Sequence, residues 1–304
     1  MKDSKILLTG ATGFLGSEIL KALLKKKYKV VILKRTFSNI SRIQKELNDC
    51  DCISFNIDSV NLEEIFINNN IKGIIHAATL YGRGDYRISE IINSNLIFPI
   101  QLMELGIKYE ADFFINSDTF FTSNIELPEG LKVYVSSKKQ FVEYAHYLIN
   151  SSNLKFLNVY LEQLYGPSDN PTKFIPTIIK SLLNNQPKLE MTEGTQKRDF
   201  IYISDAVSAY VLILENSNKL NKKYVEYRLG SGSSISIKEV TMLIKNMINS
   251  KTDIIFGKIP FRRNEIIESI ADITELNLLG WRPEISIDKG IEKTIEWYIS
   301  ESNN

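Results

Sequence analysis

Cysteine and histidine are nearly absent from this chain of 304 residues, and each shortage removes a class of function. The two cysteines, Cys50 and Cys52, stand one residue apart, a spacing that suits neither a redox pair nor half of a zinc site. They are expected to be ordinary small side chains in a reducing compartment, where disulfides are rare. The two histidines, His76 and His146, are too few and too far apart in sequence to suggest a metal centre, so no metal is expected. An excess of one charge is missing as well. The 37 Lys and Arg against 36 Asp and Glu leave a net charge of +1, which gives no bulk attraction to nucleic acid or to a membrane surface. No apolar run reaches the ~18 residues that would span a bilayer. Met1-Lys2-Asp3 leads straight into a strand pattern, so no signal peptide is expected and the cytoplasm is the expected location. Internal repeats and low-complexity linkers are also lacking.

What is present is a globular composition, 43% apolar and 24% charged, long enough for one large or two modest domains. Lys5-Ile6-Leu7-Leu8-Thr9 reads as a short buried strand. Leu15, Ile19, Leu20, Leu23 and Leu24 then share one helical face, and Lys29 to Leu33 reads as a second strand. Strand, glycine turn, helix and strand open a parallel βαβ unit. Further strands are expected at Ile53 to Ile57, Ile74 to Ala78, Asp112 to Asn116 and Lys155 to Tyr160. The fold class expected is α/β: a doubly wound parallel sheet of the Rossmann type with a smaller mixed α/β C-terminal substrate lobe, and ligands at the C-terminal ends of the strands. Near Gly166-Pro167 the rhythm breaks, with a helix expected at Phe174 to Leu183 and another at Tyr202 to Glu215 returning to the first domain. The expected division is 1–165, with 200–228 returning to it, as the dinucleotide-binding domain, and 166–199 with 229–304 as the substrate lobe.

The turn after the first strand reads Thr9-Gly10-Ala11-Thr12-Gly13-Phe14-Leu15-Gly16. Gly10, Gly13 and Gly16 have the G-x-x-G-x-x-G spacing, with glycine where φ is positive or where a side chain would block phosphates. Backbone N–H groups at the following helix N-terminus would meet the anion, so Thr12, Phe14 and Leu15 join the glycines as candidate cofactor ligands. A tight turn without a ligand would have the same spacing. An NAD site usually has an acidic residue at the end of the second strand, for the ribose 2′-hydroxyl. Here that strand ends in Lys34-Arg35-Thr36, with Ser38 and Arg42 close behind and no carboxylate available. Cations and hydroxyls suit a 2′-phosphate, so NADP(H) is expected over NAD(H), while a solvated basic turn would leave the choice open.

Tyr134 and Lys138, in Tyr134-Val135-Ser136-Ser137-Lys138, are four apart and share a helical face. A phenol is a poor acid–base catalyst at neutral pH, and a nearby ammonium is expected to lower its pKa. A hydroxyl from the end of the preceding strand would polarise a reacting carbonyl, and Ser117 is in that place. Alone, Y-x-x-x-K also fits the surface of an amphipathic helix. In this order, after a dinucleotide turn, the pair points to redox chemistry.

With these motifs the chain resembles the extended short-chain dehydrogenase/reductases of the nucleotide-sugar epimerase/dehydratase family over nearly its whole length. The resemblance is also carried by Ile75-His76-Ala77-Ala78, by Asn95 in Asn93-Ser94-Asn95-Leu96, and by Tyr165-Gly166-Pro167. Arg198-Asp199-Phe200-Ile201-Tyr202-Ile203-Ser204-Asp205, Arg262, Asp272 and Leu279-Gly280-Trp281-Arg282-Pro283 complete it. It implies a catalytic triad of Ser117, Tyr134 and Lys138, and cofactor contacts from Asn56, Ile57, Ala77, Ala78 and Asn95. Asn56 stands where the family often has an aspartate near the adenine. The resemblance implies substrate contacts from Asp118, Thr119, Gln163 and Lys173, with Arg198 and Arg262 clamping the pyrophosphate of a nucleotide sugar. Arg198 could instead pair with Asp199 or Asp205. Tyr81 or Arg83, in the loop after a strand end, could touch the sugar or belong to a plain loop. A homodimer, formed through helices including that of Tyr134, is also implied.

Members differ in the step after hydride transfer. A 4,6-dehydratase has Thr-Asp-Glu where this chain has Ser117-Asp118-Thr119, so the glutamate for C5 deprotonation is missing and Asp118 could simply stabilise the fold. Leu33 to Asn39, Asn116 to Thr119, Ser136 to Phe141 and Leu161 to Pro167 are similar to the CDP-abequose and CDP-paratose synthase group. That likeness implies NADPH-dependent reduction of the 4-ketone of a CDP-3,6-dideoxyhexulose in bacterial surface-polysaccharide synthesis, with dTDP-, UDP- or GDP-sugars as other possible substrates. A 4-epimerase with resident NAD and a non-catalytic NADP-binding regulator stay open beside it.

Overall fold

The computed structural model describes residues 4–49, 52–82, 86–123, 127 and 129–302. Cys50 and Arg83 lie outside the described residues. In chain order the first elements are β1 (Lys5–Thr9), α1 (Phe14–Lys25), β2 (Lys29–Lys34), α2 (Gln44–Asn48), β3 (Ile53–Asn56), α3 (Leu62–Asn68) and β4 (Ile71–His76). They are followed by α4 (Ile88–Ile92), α5 (Phe98–Lys108), β5 (Phe113–Thr119), α6 (Lys132–Asn150), β6 (Lys155–Leu161), β7 (Gln163–Tyr165) and α7 (Phe174–Leu183). The chain ends with β8 (Lys188–Glu190), β9 (Lys197–Arg198), β10 (Phe200–Tyr202), α8 (Ile203–Asn216), β11 (Tyr224–Leu229), β12 (Ile235–Ser236), α9 (Ile237–Ile248), β13 (Asp253–Ile255), α10 (Thr274–Leu278) and α11 (Ile287–Ser302).

Strands β3, β2, β1, β4, β5, β6 and β11 form one seven-stranded sheet in that order, the doubly wound arrangement expected. The direction of winding reverses between β1 and β4, whose neighbours run parallel in register Leu7↔Val31 on one side and Leu7↔Ile74 on the other. Because both faces are covered, the central strands are near-continuous apolar runs. Leu7, Val31, Ile74, Phe114 and Phe156 from the sheet pack with Leu102, Met103, Phe141, Ala145 and Ile149 from the helices in one buried cluster.

Two strands differ from the sequence reading by more than one residue at an end. β4 starts at Ile71, three residues earlier than expected, because Gly73 disguises a strand; a Cβ there would stand 2.0 Å from the Phe113 ring that fills the space. It also stops at His76, and Ala77 and Ala78 turn away over the end of β1, the Ala78 N–H bonding Thr9 Oγ1 at 3.2 Å. β5 runs on to Thr119, so the polar stretch Asn116 to Thr119 is fully buried strand.

The helix between β4 and β5 is interrupted by a π-helical turn, Asn93–Ile97. Pro99, near the start of α5, lacks the N–H that would bond the carbonyl of Asn95, and its ring crowds that carbonyl. α6 buries Tyr134, Lys138, Phe141, Ala145 and Ile149 along one face, so a tyrosine and a lysine occupy positions of an apolar stripe.

The chain divides into two compact units: the described residues between Met1 and Ile125 with Glu129–Tyr160 and Val207–Tyr227, and Leu161–Ala206 with the described residues of Glu126–Pro128 and Arg228–Asn304. The second unit contains three small strand pairs: β7 with β10 and β8 with β13 parallel, β9 with β12 antiparallel. Its Asp199 is a buried anchor. The carboxylate accepts the N–H groups of Ser231, Gly232 and Ala271, and a Cβ on Gly230 would stand 2.3 Å from its Oδ2. Asp205 likewise holds the N–H groups of Glu284 and Ile285, while the Trp281 indole donates to its backbone carbonyl. The acids of Arg198-Asp199 to Asp205 therefore organise backbone.

Candidate active site

The glycine turn is dictated by close packing. Gly10 has φ of 72°, and a Cβ on it would lie 2.6 Å from the Ala77–Ala78 peptide at the exit of β4. A Cβ on Gly16 would stand 2.1 Å from the Gly10 carbonyl oxygen. The turn thus lies flat between the ends of β1 and β4, at the point where the winding reverses. α1 then begins with Gly13 as N-cap, with no side-chain cap and no acidic residue in its first turn. No carboxylate of its first turn opposes the positive end of its dipole, so the residues present fit the pyrophosphate of a dinucleotide.

At the ends of β2 and β3 the candidate cofactor residues assemble. Lys34 Nζ donates to Asn56 Oδ1 at 2.5 Å, the Ile57 N–H bonds the Lys34 carbonyl, and Ser38 Oγ accepts the Arg35 N–H. Arg42 Nη1 reaches the Thr12 carbonyl at 3.4 Å and so ties this basic turn to the glycine turn. The sequence reading expected no carboxylate here, and the structure corrects it. β2 and β3 pair in parallel, so the chain leaving β3 returns to the same edge, and Asp58 accepts the Thr36 N–H at 3.0 Å. That contact, helped by Lys34, holds the Asp58 carboxyl below its ordinary pKa. The basic cluster therefore includes one fixed negative charge, whose signal in the sequence was its place two residues past Asn56.

Ser117, Asp118, Thr119, Tyr134 and Lys138 come together where the end of β5 meets the first turns of α6. Lys138, 4% exposed, donates from Nζ to the Ser117 carbonyl at 2.8 Å and lies 5.9 Å from the Tyr134 ring centre. The Ser117 hydroxyl accepts a 2.7 Å bond from Tyr210, a fully buried residue of α8 that sequence reasoning missed. Asp118 accepts from Asn158 Nδ2 at 3.0 Å and from the Thr119 N–H at 2.8 Å. Asn158 accepts in turn from Asn116, so Asp118 is locked into the sheet.

Burial dominates the electrostatics. It raises the Tyr134 phenol well above its ordinary pKa, with Tyr81 and Asp118 adding to the rise. It lowers Lys138, which Asp118 opposes, and raises Asp118, which Lys138 opposes. The expectation that Lys138 brings the phenol below its normal pKa is therefore not met, because the desolvation of both groups outweighs their attraction. His76, buried and bonded through Nδ1 to Thr9 Oγ1 at 2.9 Å, is pushed down to about 3 by burial and by Lys138, so it is neutral at physiological pH.

Asn95 was expected at the cofactor. Its side chain is committed to the protein: it accepts the Leu80 N–H and donates to the Leu80 carbonyl, both at 2.8 Å, and reaches Ser137 Oγ at 3.3 Å. Gln163, Lys173, Arg198 and Arg262 belong to the second unit. Lys173 pairs with Asp169 at 3.0 Å. Arg198 pairs with Glu265 at 2.5 Å, neither Asp199 nor Asp205 being its partner, and Arg262 is exposed. Among the described residues no group of His, Cys, Asp and Glu could hold a metal, and no helix is long and apolar enough to cross a membrane.

Residues 6–230 match the NAD dependent epimerase/dehydratase family. The chain belongs to this family. It is an enzyme family of the extended short-chain dehydrogenase type, dependent on NAD or NADP. Among curated relatives, the chain is similar to CDP-abequose synthase of Salmonella typhimurium, 37% identical over 294 residues that cover 96% of this chain and 97% of the relative. It is similar also to UDP-glucuronate 4-epimerase of Thermodesulfobacterium geofontis, 26% identical over 96% of this chain and 95% of that one. Among solved structures, UDP-glucose 4-epimerase of Thermotoga maritima superposes with a TM-score of 0.85 at 21% identity, covering 98% of this chain and 99% of that one. At that identity the likeness speaks for the fold alone, which is the family's.

Proposed function

We propose that this chain is an NADPH-dependent reductase of the 4-keto group of a CDP-linked 3,6-dideoxyhexulose, acting in the synthesis of bacterial surface-polysaccharide sugars. The observation that carries the reading is the buried constellation of Ser117, Tyr134 and Lys138 at the end of β5. It is supported by 37% identity over nearly the whole chain to a relative named CDP-abequose synthase. Bound NADPH would supply the hydride to the ketone carbon. In this reading Ser117 Oγ, its donor direction set by the bond from Tyr210, points its own proton at the ketone oxygen. Tyr134 protonates that oxygen as charge develops, and Lys138 supports the phenolate left behind. Lys34, Arg35 and Arg42 would hold the 2′-phosphate, and Arg198 and Arg262 are proposed for the sugar nucleotide's pyrophosphate. Where a dehydratase needs a glutamate, this chain has Thr119.

A second reading, a 4-epimerase with resident NAD, is favoured by Asp58, whose carboxylate beside Thr36 could accept a ribose 2′-hydroxyl. The test is NADPH consumption against CDP-, dTDP-, UDP- and GDP-linked 4-keto sugars, with NADH alongside. Turnover with NADPH and a CDP sugar, lost in Tyr134→Phe, supports the reductase. NAD co-purifying with the protein and scrambling of C4 without net NADPH loss makes it an epimerase.

A further inference from the structure

What a single exposed aromatic side chain does depends on what it touches, because apolar residues scattered over a surface are ordinary. Phe37, in the turn that follows β2, is 78% exposed, and the guanidinium of Arg35 lies over its ring with Cζ 5.5 Å from the ring centre. That is the geometry of a cation–π contact. Arg35 to Ser38 is a closed turn. The Ser38 N–H donates to the Arg35 carbonyl at 3.0 Å, and the Arg35 N–H donates to Ser38 Oγ at 3.1 Å. Between them the Thr36 N–H is held by both carboxylate oxygens of Asp58, at 3.0 and 3.2 Å. The backbone that carries guanidinium and ring is therefore fixed, and the long Arg35 side chain is what the ring has to hold.

The neighbouring cations are bonded to the protein. Lys34 Nζ donates to Asn56 Oδ1, and Arg42 Nη1 reaches the Thr12 carbonyl. The Arg35 guanidinium has no hydrogen bond and no carboxylate partner among the described residues. A ring face attracts the cation without using its N–H groups, whereas a carboxylate partner would occupy them. Arg35 is thus restrained and still has its whole planar fork to offer an anion, the form in which a guanidinium best meets a phosphate.

We propose that Phe37 is a positioning residue for NADP(H), holding the Arg35 guanidinium ready for the 2′-phosphate of the adenosine. This rests on the NADPH reading above and adds a residue to it. An arginine without that restraint would be spread over many rotamers, and binding would have to immobilise it from all of them. The ring removes part of that cost before the cofactor arrives, and the hold strengthens as bound cofactor displaces water from the pair. NAD has a hydroxyl in place of that phosphate, so the arrangement does nothing for it. Phe37 accordingly bears on the choice between the two cofactors and leaves the hydride step alone: KM for NADPH depends on it and kcat does not.

The test is calorimetric titration of the full-length protein with adenosine 2′,5′-bisphosphate and with adenosine 5′-monophosphate, which differ in that phosphate alone and need no turnover. Phe37→Ala should weaken binding of the bisphosphate by about two- to fivefold and leave the monophosphate unchanged, at an unaltered Tm. Phe37→Leu keeps apolar cover without a π face and should behave as Phe37→Ala does. Phe37→Trp, the stronger π face, should bind the bisphosphate at least as well as the wild type. In an Arg35→Ala background Phe37→Ala should have no further effect, because the ring acts through the guanidinium. Equal loss for both ligands, or the same loss without Arg35, overturns the proposal. Discrimination by the wild type that survives Phe37→Ala unchanged also overturns it and leaves the NADP reading standing. If the wild-type protein binds the two ligands equally, the NADP reading fails and the proposal with it.

Discussion

Tyr210→Phe separates orientation of Ser117 from chemistry by it. The substitution removes one oxygen, 2.7 Å from Ser117 Oγ, and leaves a ring that is fully buried in its place. Loss of a buried hydrogen bond of this kind costs about 0.5–1.5 kcal/mol of stability, which for a chain of this size lowers Tm by about 1–4 °C. The effect on rate has a different origin. With Tyr210 donating, Ser117 has to direct its own proton elsewhere, towards the reacting carbonyl in the reductase reading. Without it, the hydroxyl spreads over about three staggered positions, a population loss worth about 0.65 kcal/mol, or about threefold. Adding incomplete polarisation of the carbonyl, kcat is expected to fall about 3–10-fold with KM nearly unchanged. Ser117→Ala, which deletes the donor itself, should cost about 100-fold or more. The assay is steady-state reduction of the 4-keto sugar with melting curves on the same samples. An unchanged kcat at lowered Tm would mean that Ser117 is oriented without Tyr210. A loss as large as that of Ser117→Ala at near-wild-type Tm would mean that Tyr210 acts on the substrate itself. Either result refutes the reasoning.

Asp58→Asn removes the negative charge fixed beside Thr36, so NADPH should bind about 3–10-fold better relative to NADH, read as the ratio of their KM values. Gly16→Ala puts a Cβ 2.1 Å from the Gly10 carbonyl oxygen, where only backbone can yield, and should cost about 1–3 kcal/mol in denaturant unfolding. Calorimetric titration of Gly16→Ala with NADP should show affinity weakened by about tenfold or more, because the turn cannot stay flat. Glu162, bonded to Ser269 Oγ at 2.6 Å, is pushed up to about 7 by burial. The folded protein therefore holds a proton there that the unfolded chain releases near 4.5, so this group's stabilising contribution is full below about pH 4.5 and is lost as pH rises through about 7. Glu162→Gln should remove that slope, giving a variant more stable than the wild type by about 1–3 kcal/mol at pH 8 and little different at pH 4, measured by urea unfolding at both.

Where apolar runs are bounded by turn residues, sequence and structure coincide: β1 is Lys5–Thr9 and α7 is Phe174–Leu183, as the pattern reads. The reading fails where a residue's role depends on a neighbour distant in sequence. Gly73 looks like a break in a strand until the Phe113 ring is seen to need its space. The sequence pattern ends this strand at Asn116, short of Thr119, because the polar groups beyond are buried only with partners such as Asn158 and Tyr210, supplied about 40 and 90 residues later. Tyr210 sits in an apolar helical run, and nothing local shows that its hydroxyl meets Ser117. Asp58 becomes part of the cofactor turn only through parallel pairing of β2 with β3. Asn95 was visible as a motif residue, yet its amide holds Leu80, a use that depends on the π-helical turn placing it against that backbone.

In the reductase reading, burial of Tyr134 and Lys138 together explains how a phenol raised in pKa would serve as the acid. Desolvation keeps the proton on Tyr134 until a stronger base forms beside it, which a ketone does only as it gains negative charge. A Lys138 ammonium, 5.9 Å from the centre of the Tyr134 ring, attracts a newly formed phenolate and so offsets part of that rise. His76 adds no competing positive charge, because it is neutral there. Asp118 opposes the lowering of Lys138 by burial and so favours its ammonium form. The carboxylate that resembles part of a dehydratase motif therefore bears electrostatically on the lysine. It is locked by Asn158 and Thr119, with both oxygens occupied, and so is poorly placed to take a proton from a sugar carbon.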